Sequence, residues 1–223
     1  MNKVRRGNTR EALLEAAERL FSQRGYSAVS LREIASEAQA NVGSLTYHFQ
    51  SKIGLLRAVY TRHCEPMNRR RMELLGEAQR IRDRDERLVA ILRAYLLPAF
   101  SSSTDSKSGG AVFTRMRAVL SAEGNEDARR IIAEAFDETS HVFIDAIADC
   151  LPGAPEAAIV WRSQFLLGSL YYALINPERV TRLSEGRVDG HDMNAAIDEI
   201  VSATFASLRS LAEPARAPVP AGI

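Results

Sequence analysis

Apolar residues recur at the 3.6-residue spacing of an α-helix along almost the whole of this 223-residue chain. No convincing run of alternating apolar and polar residues is flanked by turn residues, so the pattern gives no support for β-strands. Apolar residues make up 46% of the chain, which is enough to bury a sizeable core. The sequence therefore predicts an all-α fold.

Cap signals divide the N-terminal part of the chain into helices. A first helix is expected to begin near Asn8 or Thr9 and to end at Gly25, because glycine commonly follows the last turn of a helix. Ser30 and Glu33 have the spacing of a capping box, in which each side chain bonds the backbone N–H of the other residue. A short second helix is predicted to follow Ser30.

A third, very short helix is predicted to follow Asn41, which can cap it, with Val42 and Leu45 facing inward and Phe49 closing it. Ser51 can cap a long fourth helix. Two short helices that are joined by a tight turn and supported by a longer first helix form a helix-turn-helix. Such a motif places its second helix in the major groove of DNA, with the N-terminal residues of that helix at the base edges.

The third predicted helix carries the residue types that a DNA-reading helix needs. Compact polar or small residues lead it, namely Asn41, Gly43, Ser44 and Thr46. A glycine inside a helix costs about 1 kcal/mol relative to alanine, and close approach of DNA would give Gly43 a reason to be there. Tyr47, His48 and Lys52 can donate hydrogen bonds to phosphate oxygens, although His48 could equally pack or cap.

Charge is distributed unevenly along the chain, although its net charge is only +1. Residues 1–63 carry ten basic residues against five glutamates, whereas the remainder carries 19 basic against 23 acidic residues. A basic end on an acidic body is expected when one end of a protein meets a polyanion. A charged face that is merely solvated is the alternative interpretation of the same count.

The N-terminal motif resembles that of the TetR family of transcriptional regulators. The likeness runs from "REALLEAAERLFSQRGYSAVSLREIASEA" through "NVGSLTYHFQSKIGLLRAV", roughly residues 8–62. It implies a DNA-binding domain over residues 1–52, including a flexible basic arm "KVRRGN", and a helical regulatory and dimerisation domain over 53–212. Residues 213–223 are predicted to be a disordered tail.

The resemblance also implies which residues face operator DNA. The matching positions are Ser30, Arg32, Asn41, Gly43, Ser44, Thr46, Tyr47, His48 and Lys52. Two residues depart from the family pattern: Gln39 stands where a glycine commonly makes the turn between the helices, and Thr46 stands where an aromatic residue is common.

An effector pocket is predicted inside the regulatory domain. Two polar residues lie on otherwise apolar helical stripes, Arg117 near Phe113 and Met116, and Ser140 between Phe136 and Phe143. A mostly apolar pocket with a few polar groups is the usual form of a small-molecule site. The predicted lining is Leu92, Tyr95, Phe113, Met116, Arg117, Phe136, Ser140, Phe143 and Phe165. The alternative is that these residues are plain core and that Arg117 pairs with an acidic neighbour such as Glu123.

A dimer interface is predicted on the helix around Trp161–Ile175 and on the last helix, whose apolar residues recur at steps of three and four. Together they can form half of a four-helix bundle that a second chain completes, as the resemblance also implies. The predicted interface residues are Trp161, Leu166, Tyr172, Ile197, Ile200, Thr204, Phe205 and Leu208. A bundle within one chain is the alternative.

The expected function is that of a ligand-responsive repressor, which binds a pseudo-palindromic operator as a homodimer and is released by an unknown small molecule. An architectural DNA-binding role is the alternative that the sequence cannot separate from it. An enzyme is not expected, because the histidines show no metal-ligand spacing and no Gly-rich phosphate loop occurs. No metal or cofactor is expected, and the absence of long apolar segments predicts a cytoplasmic protein with no membrane partner. Cys64 and Cys150 fit no disulfide or metal spacing.

Overall fold

The computed structural model describes the backbone of residues 2–100 and 110–212, and the side chains of residues 9–100 and 112–212. Within these ranges the chain forms ten helices and no strand, which confirms the all-α prediction. The helices are α1 Asn2–Arg24, α2 Leu31–Glu37, α3 Val42–Phe49, α4 Lys52–Ala78, α5 Arg84–Phe100, α6 Gly110–Glu123, α7 Glu126–Cys150, α8 Glu156–Ile175, α9 Pro177–Leu183 and α10 Met193–Arg209.

Several helix boundaries differ from those expected. α1 begins at Asn2 rather than near Asn8, so the predicted arm lies within a helix whose first side chains are outside the described residues. The segment "DERLVAILRAYLLPAF" predicts a helix that ends near Pro98, but α5 continues through this proline to Phe100. Pro155 suits the first position of a helix by sequence, but in the structure it is the N-cap of α8. The polar segment "SSSTDSKSGG", residues 101–110, is predicted to be a mobile loop, and all of it except Gly110, which begins α6, lies outside the described residues. The predicted disordered tail over 213–223 also lies outside them.

The chain forms two compact units that do not follow the predicted boundary at residue 52. Unit 1 comprises Met1–Arg70 and Pro98–Glu138, and unit 2 comprises Arg71–Leu97 and the chain from Thr139 onward. Unit 1 is discontinuous because α6 packs against α1, so a later part of the chain completes the N-terminal core. α4, α5 and α7 each contribute residues to both units.

The core of unit 1 holds the helix-turn-helix in place. α1 contributes Leu13 and Phe21, which are fully buried, and α6 contributes the equally buried Phe113. Leu45 and Phe49 attach α3 to the same cluster. Burial of a large apolar side chain contributes about 1.5–3 kcal/mol, so this cluster fixes the one face of α3 that carries these two residues.

A buried ionisable pair also lies in unit 1. Nε2 of His63 on α4 lies 2.8 Å from Oε2 of Glu18 on α1, and both side chains are almost fully buried. The His63 ring stacks on Phe113, with ring centroids 4.6 Å apart. Buried charges in proteins are normally paired in this way, so these contacts give His63 a structural role between α1, α4 and α6.

Unit 2 contains α8, α9 and α10 together with the parts of α5 and α7 assigned to it. α8 packs against α10. Asp192 caps α10 by accepting hydrogen bonds from the backbone N–H groups of Asn194 and Ala195, at 3.0 and 3.1 Å. None of the described helices is long and apolar enough to cross a membrane.

Candidate nucleic-acid interface

The turn between α2 and α3 is tight and depends on one residue with positive φ. Gln39 adopts φ +51°, in the left-handed region that glycine occupies at the lowest cost. The backbone N–H of Ala40 donates to the carbonyl oxygen of Ala35 at 2.8 Å, which closes the end of α2. The turn therefore keeps a left-handed geometry although glutamine stands where the resemblance leads one to expect glycine.

The start of α2 is fixed by the capping box that the sequence predicts. The backbone N–H of Ser30 donates to Oε2 of Glu33 at 2.8 Å, and the N–H of Glu33 donates to Oγ of Ser30 at 3.2 Å. Arg24 adds an ion pair to Glu33 at 2.7 Å. The hydrogen bonds from Ser30, with the contribution of Arg24, lower the pKa of Glu33 to about 2. Glu33 is therefore ionised over the whole physiological range.

The start of α3 is fixed by Asn41, whose Oδ1 accepts a hydrogen bond from the backbone N–H of Ser44 at 2.7 Å. This confirms the predicted cap. Gly43 has no positive φ, and a Cβ added there would meet only Oδ1 of Asn41, at 3.2 Å. The backbone conformation therefore does not require a glycine here, and an alanine would need the cap oxygen of Asn41 to move by a few tenths of an ångström.

The exposed face of α3 carries Val42, Gly43, Thr46 and Tyr47. Tyr47 is 71% exposed, and its ring meets the ring of His48 edge-on, with centroids 5.1 Å apart. Oγ1 of Thr46 donates to the carbonyl oxygen of Val42 at 3.0 Å. The prediction that Val42 faces inward is wrong, because its side chain is 37% exposed. Leu45 and Phe49 alone suffice to anchor the buried face of so short a helix.

The remaining predicted DNA-facing residues surround this face. Ser30 and Arg32 are exposed at the start of α2, and Ser44 and His48 are half-buried. Lys52 is also half-buried, and its Nζ lies over the ring of Tyr26, 4.3 Å from the centroid. Burial lowers the pKa of Lys52, although Glu123 and Glu33 oppose that effect. All nine predicted residues thus belong to unit 1, on or beside the helix-turn-helix.

The loop between α1 and α2 is held by a contact that could not be predicted from the sequence. Oε2 of Glu123, at the end of α6, accepts a hydrogen bond from the backbone N–H of Tyr26 at 2.7 Å, and Oε1 accepts one from Ser27. Burial raises the pKa of Glu123, but the hydrogen bonds from Ser27 and Tyr26 and the charge of Lys52 outweigh it, so that pKa is lowered. Glu123 therefore caps this loop.

Several arginines of the N-terminal part form ion pairs within unit 1. Arg19 pairs with Glu37 at 2.8 Å, and Arg62 pairs with Glu11 at 2.7 Å. Exposed pairs of this kind contribute little stability, about 0–1 kcal/mol each. Arg32, by contrast, has no acidic partner within salt-bridge distance among the described residues.

Unit 2 contains a cavity of about 100 Å³ between α5, α7 and α8. Four of the predicted effector-binding residues line it: Leu92, Tyr95, Ser140 and Phe143. The rings of Tyr95 and Phe143 meet edge-on, with centroids 5.2 Å apart. The hydroxyl oxygen of Ser163, also part of the lining, is buried and has no hydrogen-bond partner among the described residues. The sequence pattern did not single out Ser163.

The other predicted pocket residues require a correction. Phe113, Met116 and Phe136 are buried in the core cluster of unit 1, and Arg117 is 2% exposed with its guanidinium carbon 4.1 Å from the centroid of the Phe136 ring. Phe165 is 61% exposed on α8. The apolar stripes of α6 and of the first half of α7 are thus core, because α6 packs on α1, and the lining of the cavity is revised accordingly.

The outer face of α8 is unusually apolar for a surface. Trp161, Phe165 and Tyr172 are spaced at four and seven residues and are 63%, 61% and 54% exposed, respectively. Gly168 lies between them with open space around its Cα. These four positions form what we call the α8 stripe. Contiguous exposed apolar patches of this kind mark interaction sites more often than scattered exposed residues do.

The structure corrects part of the predicted dimer interface, because the residues predicted for it fall into two groups. Trp161 and Tyr172 belong to the α8 stripe, and Ile200 and Phe205 are half-buried. The rest are buried within the single chain, where α8 and α10 pack on each other: Leu166, Ile197, Thr204 and Leu208. The apolar seam of α10 therefore serves the interior of unit 2.

The histidines do not form a catalytic or metal-binding cluster in the part of the chain that the structure describes. His63 pairs with Glu18 in the core, and Nε2 of His191 lies 2.8 Å from Oε1 of Glu178 at the surface. No group of three or more His, Cys, Asp or Glu residues is arranged to hold a metal ion within the described ranges.

Two family models match this chain. Residues 13–59 match the model described as "Bacterial regulatory proteins, tetR family". Residues 93–207 match the model described as "Tetracyclin repressor-like, C-terminal domain", and this match alone covers more than half of the chain. The first match includes α2 and α3 completely, and the second includes the cavity-lining residues from Tyr95 onward.

Curated relatives include the HTH-type transcriptional repressor KstR of Rhodococcus jostii, which is 32% identical over 133 residues, or 53% of this chain and 63% of that protein. The HTH-type transcriptional activator FasR of Mycolicibacterium smegmatis is 35% identical over 97 residues, or 42% of each chain. The matched stretches thus span less than two thirds of the length of either relative.

Solved structures share the fold. The fatty acid degradation regulator FadR of Bacillus halodurans superposes with a TM-score of 0.59 at 15% identity, covering 90% of this chain and 96% of that one. At such identity the likeness establishes the fold and nothing further. The family models and the relatives confirm the resemblance that the N-terminal motif indicated. The chain therefore belongs to the TetR family of transcriptional regulators.

Proposed function

We propose that the protein is a ligand-responsive repressor that binds a pseudo-palindromic operator as a homodimer. The observation that carries the DNA-binding part is the exposed face of α3, where Gly43 lies between side chains able to contact bases and phosphates. Repression is supported by the match to the repressor KstR, which extends over more residues than the match to FasR. The match to the activator FasR makes activation the alternative outcome of a reporter assay.

The proposed DNA-contacting residues divide into two groups. Asn41, Gly43, Ser44 and Thr46 lie in the first turns of α3, the part of a recognition helix that reaches base edges. Ser30, Arg32, Tyr47, His48 and Lys52 lie around these, where contacts to phosphate oxygens would fix the orientation of the protein. Base contacts specify the sequence, whereas phosphate contacts supply affinity for any sequence.

Selection of bound duplexes from random DNA by the full chain tests this part of the proposal. We expect an enriched sequence with two-fold symmetry, because each chain of a dimer reads one half-site. Tyr47→Ala should weaken binding to selected and shuffled duplexes alike, whereas Thr46→Ala should change the preferred bases. Equal competition by shuffled DNA at about 0.15 M salt would contradict the proposal.

The α8 stripe is the surface that we propose for dimerisation. Its exposed aromatic rings and the open space at Gly168 suit close packing of two copies of α8 around a two-fold axis. Phe165→Glu would then bury an unpaired charge, at a cost of about 3–5 kcal/mol. Light scattering should find a dimer for the unmodified chain at micromolar concentration and a monomer for Phe165→Glu.

Val180→Glu is the matched control for this experiment, because Val180 is 45% exposed on α9 and lies outside the stripe. It should remain a dimer. A monomeric unmodified chain, or equal loss of the dimer in both variants, would remove the α8 stripe from the proposal.

The cavity in unit 2 is the effector site that we propose, and its lining favours an uncharged, largely apolar ligand. The lining residues themselves carry no formal charge, so an ammonium group buried there would lack a counter-ion. The only full charge recorded against the lining is the buried guanidinium of Arg71, whose carbon lies 4.1 Å from the centroid of the Tyr95 ring among the described residues. The hydroxyl of Ser163 offers one hydrogen bond to a polar group of the ligand. An effector can change DNA affinity only by binding one conformation of the protein more tightly than another.

Trp161, the only tryptophan, gives an indirect signal for ligand binding, because it follows Val160, which lines the cavity, while its own side chain is exposed on the α8 stripe. Neutral apolar compounds should change its fluorescence saturably and release the selected DNA. Ser163→Ala should weaken that binding. The control is Ser169→Ala on the same helix, whose hydroxyl already donates to the Phe165 carbonyl at 3.0 Å and which should bind as the unmodified chain does. Equal affinities of all three proteins would place the effector elsewhere.

The architectural role that the sequence left open remains the second candidate. An architectural protein would use the same DNA-binding surface, but ligand binding would not change its affinity for DNA. Mapping of bound sites across a genome separates the two, since a regulator should occupy a few promoters and an architectural protein many dispersed sites.

A further inference from the structure

Val42 is an apolar side chain at the surface of α3, in the first turn of the helix. It is 37% exposed, whereas Leu45 and Phe49 of the same helix are buried. A single exposed valine needs no explanation on an ordinary surface. Val42 differs because it shares its face with Gly43 and Thr46, at the end of α3 that is proposed to enter the major groove.

Thr46 lies one helical turn beyond Val42 and is bonded to it. Its hydroxyl donates to the carbonyl oxygen of Val42 at 3.0 Å, and this uses the only hydrogen that the hydroxyl can donate. The groups of Thr46 that remain for a ligand are its methyl group and the lone pairs of its oxygen. Val42 and Thr46 therefore form a small methyl-bearing patch, and Gly43 beside it adds no side chain that would hold a ligand away.

Thymine is the base that presents a methyl group on the major-groove edge, and apolar contact with that methyl distinguishes it from the other bases. We infer that Val42 is a specificity-determining residue and that, with Thr46, it reads the C5-methyl group of a thymine in each half-site. The inference rests on the proposed function, because it requires that α3 lies in the major groove.

Asn41 gives the thymine a polar neighbour. Its Oδ1 is used in the cap bond to the backbone N–H of Ser44, which leaves the amide NH₂ group as a donor. A donor next to a methyl-reading patch matches the O4 acceptor and the methyl group that thymine shows side by side. The three residues together would thus favour thymine over cytosine, which offers a donor and no methyl group.

The test replaces each thymine of the selected duplex in turn by deoxyuridine, which removes only the methyl group. Equilibrium binding of the full chain should fall about three- to fivefold at one thymine per half-site, the effect of one methyl group removed from water. The same replacement should cost clearly less in Val42→Ala, because the thymine methyl group has then lost one of its two proposed partners and keeps only Thr46. Val180→Ala, a valine on α9 with similar exposure, should respond as the unmodified chain does.

Thr46→Ser removes the methyl group of Thr46 and keeps the hydroxyl that bonds to Val42, so it should reduce the deoxyuridine effect without changing binding to the other positions. Thermal melting of each variant checks that α3 remains folded. The inference is overturned if every deoxyuridine effect is the same in Val42→Ala as in the unmodified chain, or if Val42→Ala weakens binding to all sequences equally. Loss of sequence preference in the unmodified chain would instead contradict the proposed function itself.

Discussion

The helix-turn-helix of unit 1 and the cavity of unit 2 are built in different ways. In the first, the decisive bonds join residues three or four positions apart, such as Ser30 with Glu33 and Asn41 with Ser44. In the second, α5, α7 and α8 each contribute part of the lining, and Leu92 and Ser163 lie far apart in sequence. Local bonds fix the shape of the DNA-facing surface, whereas the cavity depends on how the faces of three long helices meet.

This difference suits two different tasks. A surface that reads DNA must keep its donors and methyl groups in one arrangement, and capping bonds fix the start of each short helix. A cavity whose walls are separate helices can change its shape when those helices shift by a small amount, as a ligand-responsive site requires. Substitutions at its turns and caps test whether local bonds hold the helix-turn-helix in one arrangement.

The largest effect is expected at Gly54, at the junction of α3 and α4. A Cβ there would lie 2.1 Å from the carbonyl oxygen of Phe49, a distance that no rotamer change can relieve. Gly54→Ala should therefore lower the free energy of unfolding by about 1–3 kcal/mol or more, as overpacking does. Urea denaturation measures the change.

Gly76→Ala is the control, because Gly76 lies in the same helix with nothing within 4 Å of the added Cβ. It should be neutral or should raise the free energy of unfolding by about 0.5–1 kcal/mol through helix propensity. Equal effects of the two substitutions would show that the α3–α4 junction is not closely packed.

A smaller effect of opposite sign is expected at the turn between α2 and α3. Gln39 has φ +51°, which a residue with a Cβ adopts at a cost and glycine does not. Gln39→Gly should raise the free energy of unfolding by about 0.5–1 kcal/mol after the entropy of glycine is taken into account. Gln23→Gly near the end of α1 should lower it, because that position is helical. A decrease in both variants would contradict the strained turn.

The smallest effect concerns pH. The pKa of Glu33 is lowered to about 2 in the folded protein, so its contribution to stability is present above its ordinary pKa of 4.5 and is lost as the pH falls towards 2. Glu33→Gln keeps a capping side chain without the titrating group, and the loss of stability between pH 5 and pH 3 should therefore be smaller in this variant. Glu199→Gln, at an exposed position on α10, is the control and should behave as the unmodified chain does.

The same contrast explains what the sequence could predict. Capping at Ser30 and Asn41 was predicted because these bonds depend on spacing alone. The sequence could not assign the stripes of Phe113 and Phe143 to different sites, because periodicity indicates that a helix face is buried but not which helix buries it. Glu123 was missed for the same reason, since its partners at Tyr26 and Ser27 lie far away along the chain.

Gly43→Ala tests most directly the central claim that the exposed face of α3 is a DNA-reading surface. In the protein a Cβ at Gly43 meets only the cap oxygen of Asn41, which would have to shift by a few tenths of an ångström. We therefore expect the variant to remain folded, with a melting temperature close to that of the unmodified chain. On DNA the added methyl group would lie between the helix and the base edges.

The measurement is a titration of the selected duplex, with shuffled DNA as competitor, for Gly43→Ala and the unmodified chain at about 0.15 M salt. We expect the variant to bind the selected duplex about tenfold or more weakly while it remains folded, because the added methyl group would hold α3 away from the bases and the loss of one base contact by a neighbouring side chain costs about 1–3 kcal/mol. Unchanged affinity for the selected duplex in a fully folded Gly43→Ala variant would contradict the claim.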